Sequence, residues 1–121
     1  MFKDETFLIR GAIFEVYKEI GSGFLEAVYQ ECLEKELYRQ KIPFKSQVEI
    51  SISYKGEVLN KGYIADLICF DKIILELKAV KAFDNVHRAQ IQNYLKATGM
   101  RIGLLINFGS YPKAVVERII F

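Results

Sequence analysis

Three charged residues stand where charge is costly. In the stretch YIADLICFDKIILELKAV, residues 63–80, Asp66, Glu76 and Lys78 are set among isoleucines and leucines. An unpaired charge inside an apolar strand must find a partner ion, a metal or water. Two carboxylates and one ammonium leave one negative charge over, which a divalent cation would neutralise. Mg²⁺ takes oxygen ligands, commonly one or two carboxylates completed by water and phosphate. The competing reading is an internal salt bridge from Lys78 to Asp66 or Glu76 with no chemistry attached.

For these residues to act together they must share a face. In a strand, i and i+2 point the same way, so Glu76 and Lys78 lie with Ile74, and Ile73, Leu75, Leu77 and Ala79 lie opposite. Asp66 joins them only under one parity of the hairpin. A two-residue turn at Asp71-Lys72 would set Asp66 against Leu77, on the wrong side. A three-residue loop or a β-bulge sets Asp66 beside Lys78 and Ile68 beside Glu76. The expectation is therefore an odd loop or a bulge.

The surrounding chain reads as follows. Residues 4–19 carry Ile9, Ile13, Val16 and Ile20 at helical spacing. GSG at 21–23 breaks that helix, and Ser22 is a candidate cap for a second helix over 24–40. Phe24, Leu25, Val28, Tyr29, Cys32 and Leu33 would form its apolar stripe. Pro43 ends the helical region, and VEISISY at 48–54 alternates as a strand. KGE at 55–57 is a turn. The 63–80 hairpin follows, then a helix over 84–98 capped by Asp84 and closed by Gly99. RIGLLINF at 101–108 is a buried strand. Residues 113–121 fit a short helix or an edge strand. The order α-α-β-β-β-α-β makes an α/β fold, a mixed sheet with helices packed against it, in one domain over 1–121.

Two helices aim polar groups inward. In 84–98, Val86, Ile91, Tyr94, Leu95 and Ala97 make the apolar arc, and Gln90 and His87 fall inside it. Arg88, Gln92, Asn93 and Lys96 face the solvent. Glu26 stands in line with Tyr29, Leu33 and Leu37; a plain first-turn acid is the alternative there. His87 equally fits an interfacial histidine with no role in chemistry.

Composition narrows the class. The chain has 121 residues, about half of them apolar, and a net charge of +2. That charge permits a polyanionic partner without arguing for one. Cys32 and Cys69 lack CxxC spacing and read as buried, reduced thiols. Met1–Arg10 has no continuous apolar core of a signal peptide, and no apolar run approaches the roughly 20 residues of a spanning helix. A cytoplasmic protein with no membrane partner is expected.

In order, GSGFLEAVY, YIADLICFDKIILELKAV, HRAQIQNYL and GLLINFG resemble the short bacterial GxxExxR proteins of the PD-(D/E)XK nuclease superfamily. The likeness runs from about residue 5 to 121. It implies a restriction-endonuclease-like core and a nuclease that hydrolyses phosphodiesters, of DNA sooner than RNA, with Mg²⁺ or Mn²⁺. The motif aspartate falls on Asp66 and the ExK pair on Glu76 and Lys78. The resemblance implies metal ligation by Asp66, Glu76, the Leu77 backbone carbonyl and Glu26. Gln90 and Tyr94 match the QxxxY element of the RecB-like branch, Gln90 holding Lys78 or a ligand and Tyr94 packing beneath the site. Tyr94 and His87 are candidates for phosphate contact. Two departures stand out: Tyr29 occupies the arginine position of the family's name, and Ala65 replaces the proline before Asp66. Lys81, Arg88, Lys96 and Arg101 are candidate phosphate contacts. A homodimer is compatible with so small a domain acting on duplex DNA. The rival reading from another class is a catalytically inactive nuclease fold serving as a nucleic-acid-binding or dimerisation module.

Overall fold

The computed structural model describes residues 1–121. Eight elements follow one another: α1 (Lys3–Ile20), α2 (Glu26–Arg39), β1 (Phe44–Tyr54), β2 (Glu57–Cys69), β3 (Ile73–Lys78), α3 (Asn85–Thr98), β4 (Ile102–Asn107) and β5 (Val115–Ile120). The strands form a single five-stranded sheet in chain order. β1–β2, β2–β3 and β4–β5 pair antiparallel, whereas β3 and β4 pair parallel with α3 as the crossover. The expected mixed α/β order holds, and the undecided tail becomes the edge strand β5.

Alternation along the strands divides the core in two. Leu67, Cys69, Ile73, Leu75 and Leu77 pack with Leu104 and Ile106 under α1 and α2. Ile50, Ile68, Ile74 and Ile119 pack against Ile91, Tyr94 and Leu95 of α3. The central strands β3 and β4 are covered on both faces, so their near-continuous apolar runs need no polar alternation.

The helix ends follow local chemistry. The Asp84 side chain accepts from the N–H groups of Val86 (2.8 Å) and His87 (3.3 Å) at the start of α3. Gly99 closes α3 in the left-handed conformation, φ 75°. α2 differs from expectation. Ser22 does not cap it; Leu25 holds the cap position without any side-chain bond. Phe24, Leu25 and Val28 are exposed, and the buried stripe narrows to Tyr29, Leu33 and Leu37, spaced four residues apart. Val86 is likewise exposed on α3, as is Ala97, which leaves Ile91, Tyr94 and Leu95 as its buried residues.

Tyr29 takes over the fastening role that Ser22 lacks. Its ring is fully buried and stacks on Phe108, centroids 4.5 Å apart and planes 2° from parallel. Its hydroxyl donates to the Gly21 carbonyl and accepts from the Phe24 N–H. The side chain at the arginine position of the family pattern is thus a core aromatic that anchors the GSG loop and the entry to α2.

Tyr29→Phe keeps the stack but strands the Gly21 carbonyl and the Phe24 N–H. A loss of about 1–2 kcal/mol is expected, read as a lower Tm in thermal melts; an unchanged Tm would refute the anchoring role.

Candidate active site

The loop between β2 and β3 decides the geometry. Cys69 pairs with Ile73, so Phe70, Asp71 and Lys72 form a three-residue connection. Phe70 (φ 56°) and Asp71 (φ 55°) are left-handed, which lets so short a loop close. The odd count keeps Asp66 on the face of Glu76 and Lys78, as parity demanded. The loop begins one residue earlier than expected, however, at Phe70. Extending the register from Leu67–Leu75 by one step sets Asp66 opposite Glu76, with Lys78 on the diagonal, and sets Ile68 opposite Ile74.

At that point the regular β2–β3 pairing ends, and the two acids replace it. The Leu77 N–H donates to Asp66 Oδ2 (2.7 Å), and the Asp66 N–H donates to Glu76 Oε1 (3.0 Å). Each carboxylate therefore spends one oxygen on the backbone of the facing strand. Asp66 Oδ1 and Glu76 Oε2 have no hydrogen-bond partner in the protein. On its other side, the Asp66 carbonyl accepts from Gln30 Nε2 of α2 (3.0 Å). Gln30 is braced in turn by Glu34 (2.9 Å), which also accepts from the Ser46 hydroxyl (2.8 Å).

Burial governs the charge state. Glu76 is buried, and desolvation, joined by the charge of Asp66, pushes its carboxyl up to about 8 against the opposing pull of the Asp66 N–H and Lys78. Asp66, half-buried, is also raised, mainly by desolvation, while the Leu77 N–H and Lys78 act against the rise. Lys78 forms none of the four ion pairs in the structure. The internal salt bridge that competed with a chemical role is not made; Lys78 acts on both carboxylates only through its field.

Glu26 is the first residue of α2 and is exposed. Its charge raises both Asp66 and Glu76, so it stands within electrostatic reach of the pair. It does not close on them: no three His, Cys, Asp or Glu side chains gather tightly enough to enclose an ion. Tyr94 is buried beneath the pair, its hydroxyl pushed up to about 12 by burial and by the charges of Glu76 and Asp66. Gln90 is half-buried and acts on the Tyr94 hydroxyl; it makes no bond to Lys78 or the carboxylates. His87 is drawn elsewhere. Its Nδ1 accepts from the Asp84 N–H (3.2 Å), completing a capping box, and its ring lies edge-on to Phe83.

Two of the four candidate phosphate contacts are already engaged. Arg88 grips Glu117 of β5 through Nε (2.7 Å) and Nη2 (3.0 Å). Arg101 donates to the Phe121 carbonyl (3.1 Å). Lys81 and Lys96 are exposed.

One positioning residue escaped sequence reasoning. Asn107, 1% exposed at the end of β4, accepts from the Val80 N–H (3.0 Å) and the Gly109 N–H (2.9 Å) and donates to the Val80 carbonyl (2.8 Å). It clamps the chain two residues beyond Lys78. Gly109 completes the clamp, since a Cβ there would come within 2.6 Å of the Val80 nitrogen. An asparagine inside the apolar run GLLINFG was the available signal.

A family model described as the PD-(D/E)XK nuclease superfamily matches residues 3–119. The chain belongs to that superfamily. Three solved chains also match. One, the crystal structure of SSO0001, aligns with a TM-score of 0.61 at 22% identity, covering 78% of this chain and 48% of that one. The likeness shows the shared fold, and this chain spans about half the length of that protein. No curated protein matches. Within this PD-(D/E)XK core, no helix is long and apolar enough to cross a membrane.

The raised carboxyl fixes a pH dependence. Glu76 is neutral in the fold over a range where it would ionise in the unfolded chain, so the folded state binds the extra proton. Its contribution is complete below about 4.5 and is lost as pH rises through about 8. With EDTA present, wild-type stability is expected to fall across that window, and Glu76→Gln to flatten the fall. At pH above 8 the variant should be more stable by on the order of 2 kcal/mol. Urea unfolding at several pH values tests this; parallel curves for the two proteins would refute it.

Proposed function

We propose that this chain is a divalent-metal-dependent nuclease of the GxxExxR type, hydrolysing phosphodiester bonds with DNA as the preferred substrate. The observation that carries the reading is the pair of facing carboxylates, each with one oxygen on backbone and one unbonded, beside a lysine that makes no ion pair.

The donor set suits a hard cation. Two carboxylates meet across the strands in a site where burial disfavours their combined charge, and positive charge there would relieve it. With no third carboxylate closing in, positions are left for water and phosphate, the arrangement Mg²⁺ or Mn²⁺ accepts. Asp66 and Glu76 would hold the ion with the Leu77 carbonyl, and Glu26 would reach it through water. When bound, the ion would polarise the scissile phosphate and acidify a coordinated water.

The chain's own residues supply the rest. Lys78, fixed at its base by the β3–β4 pairing with Asn107, would orient the attacking water and offset charge developing on the phosphorus oxygens. Gln90 and Tyr94 would support the carboxylates from below, as a layer that resists their movement. Gln30 would hold the Asp66 peptide against the pull of a bound ion.

Mg²⁺ or Mn²⁺ titration followed by calorimetry should show binding by wild type and none by Asp66→Ala. Binding at pH 7 should release a proton, because Glu76 must ionise to ligate. Lys78→Ala should retain the ion yet cut DNA at least ~100-fold more slowly. Equal cleavage by wild type and Asp66→Ala would sink the nuclease reading. A wild type that binds DNA without cutting it would be the inactive nuclease fold.

A further inference from the structure

Beside the carboxylates, the β1–β2 hairpin stands away from the body of the protein. Every residue from Ser53 to Ile64 is exposed. Between Ser51 and Ser53 the register slips: Ser51 pairs with Gly62, but Ser53 pairs with Val58. Three residues of β2 thus face one of β1, a bulge that turns the hairpin tip away from the sheet. At Gly62 the two strands approach so closely that a Cβ would sit 2.6 Å from the Ile50 carbonyl oxygen. Beyond this pinch a cleft of about 490 Å³ opens between the hairpin and α3.

The lining of that cleft is specific in kind. Ser51 and Ser53 contribute from the hairpin, Asn93 and Lys96 from α3, and Tyr63 presents an aromatic ring. Tyr63 is 42% exposed. Its ring centroid is 5.1 Å from that of Tyr94, which lies in the field of Glu76 and Asp66. Tyr63 and Tyr94 therefore link one wall of the cleft to the carboxylate pair. An aromatic face, a cation and a polar amide are the groups that hold one nucleotide: the ring stacks a base, the ammonium meets phosphate, and the amide meets a base edge.

We infer that this cleft binds a nucleotide flanking the scissile phosphate, stacked on Tyr63 with its phosphate at Lys96, and that the substrate strand is single-stranded there. The inference rests on the nuclease reading for its link to cleavage, though not for binding itself. A base in a duplex has both faces covered by its neighbours and cannot use the Tyr63 ring. A strand end, a flap or a single-stranded stretch can. The site thus favours unpaired substrate, and Lys96, unlike Arg88 and Arg101, has no partner within the protein to compete for it.

The test is binding without metal. With EDTA present, fluorescence anisotropy of a labelled oligo-dT and of a blunt duplex is measured for wild type, Tyr63→Ala, Tyr63→Trp and Lys96→Ala. Tyr63→Ala is expected to weaken oligo-dT binding by on the order of tenfold and to leave the duplex unaffected. Tyr63→Trp should retain wild-type affinity, because stacking and not the hydroxyl is used. Lys96→Ala should weaken oligo-dT binding and flatten its salt dependence. A wild type that does not bind oligo-dT, or a Tyr63→Ala protein that binds it as wild type does, overturns the inference. So does an equal loss on both substrates. Cleavage run in parallel separates the two readings. Asp66-dependent cutting unaffected by Tyr63→Ala removes the cleft and keeps the nuclease; Tyr63-dependent binding without cutting does the reverse.

Discussion

The organisation of this protein depends on one exchange of hydrogen bonds. Where β2 and β3 stop pairing regularly, Asp66 takes the Leu77 N–H and Glu76 takes the Asp66 N–H. Side chains thereby satisfy backbone donors that an apolar strand would leave stranded. The same exchange forces two acids together in a poorly hydrated place and leaves each with one oxygen that the protein does not bond. Stability and site geometry are consequences of a single arrangement. Its electrostatic penalty is the reason Glu76 holds its proton toward neutral pH.

Everything around the pair limits its freedom. From the α2 side, Gln30 fixes the Asp66 peptide, and Tyr29 fixes the start of the helix that carries Glu26. From the α3 side, Tyr94 closes the floor. From the far strand, Asn107 and Gly109 pin the chain leaving Lys78. The restraints come from elements distant in sequence. The pair itself lies within one hairpin, its members ten residues apart, so the loop-closure entropy of bringing them together is small. Preorganisation of this kind suits chemistry in which charge is to be met by fixed dipoles, without reorganisation at the moment of reaction.

Much of this was legible in the sequence because it follows from parity and periodicity. The period of two placed Glu76 and Lys78 together, and the demand for a common face required an odd loop or a bulge. The Asp84 cap and Gly99 stop follow from side-chain chemistry alone. What sequence could not give were the positions settled by tertiary competition. The loop starts at Phe70 because Phe70 and Asp71 adopt left-handed conformations that ordinary side chains disfavour, which shifts Asp66 from Lys78 to Glu76. His87 serves the helix cap, and Arg88 finds Glu117 on a strand 29 residues away. Ser22 reads as a cap, yet buried Tyr29 does the anchoring, since a hydroxyl on a stacked ring reaches the loop from the core. Asn107 looked like one polar residue in a buried strand; only its four bonds, to Val80, Gly109 and Ser110, reveal a clamp.

The three-residue loop Phe70–Lys72 carries an unusual restriction. Surface connections ordinarily absorb insertions and deletions without consequence for the elements they join. Here, adding or removing one residue would preserve the apolar character of both strands and still allow them to pair. Yet it would slip one strand's side chains to the opposite face and part Asp66 from Glu76. The fold would tolerate the change far better than the site would. Among exposed turns of this chain, this one counts its residues in twos.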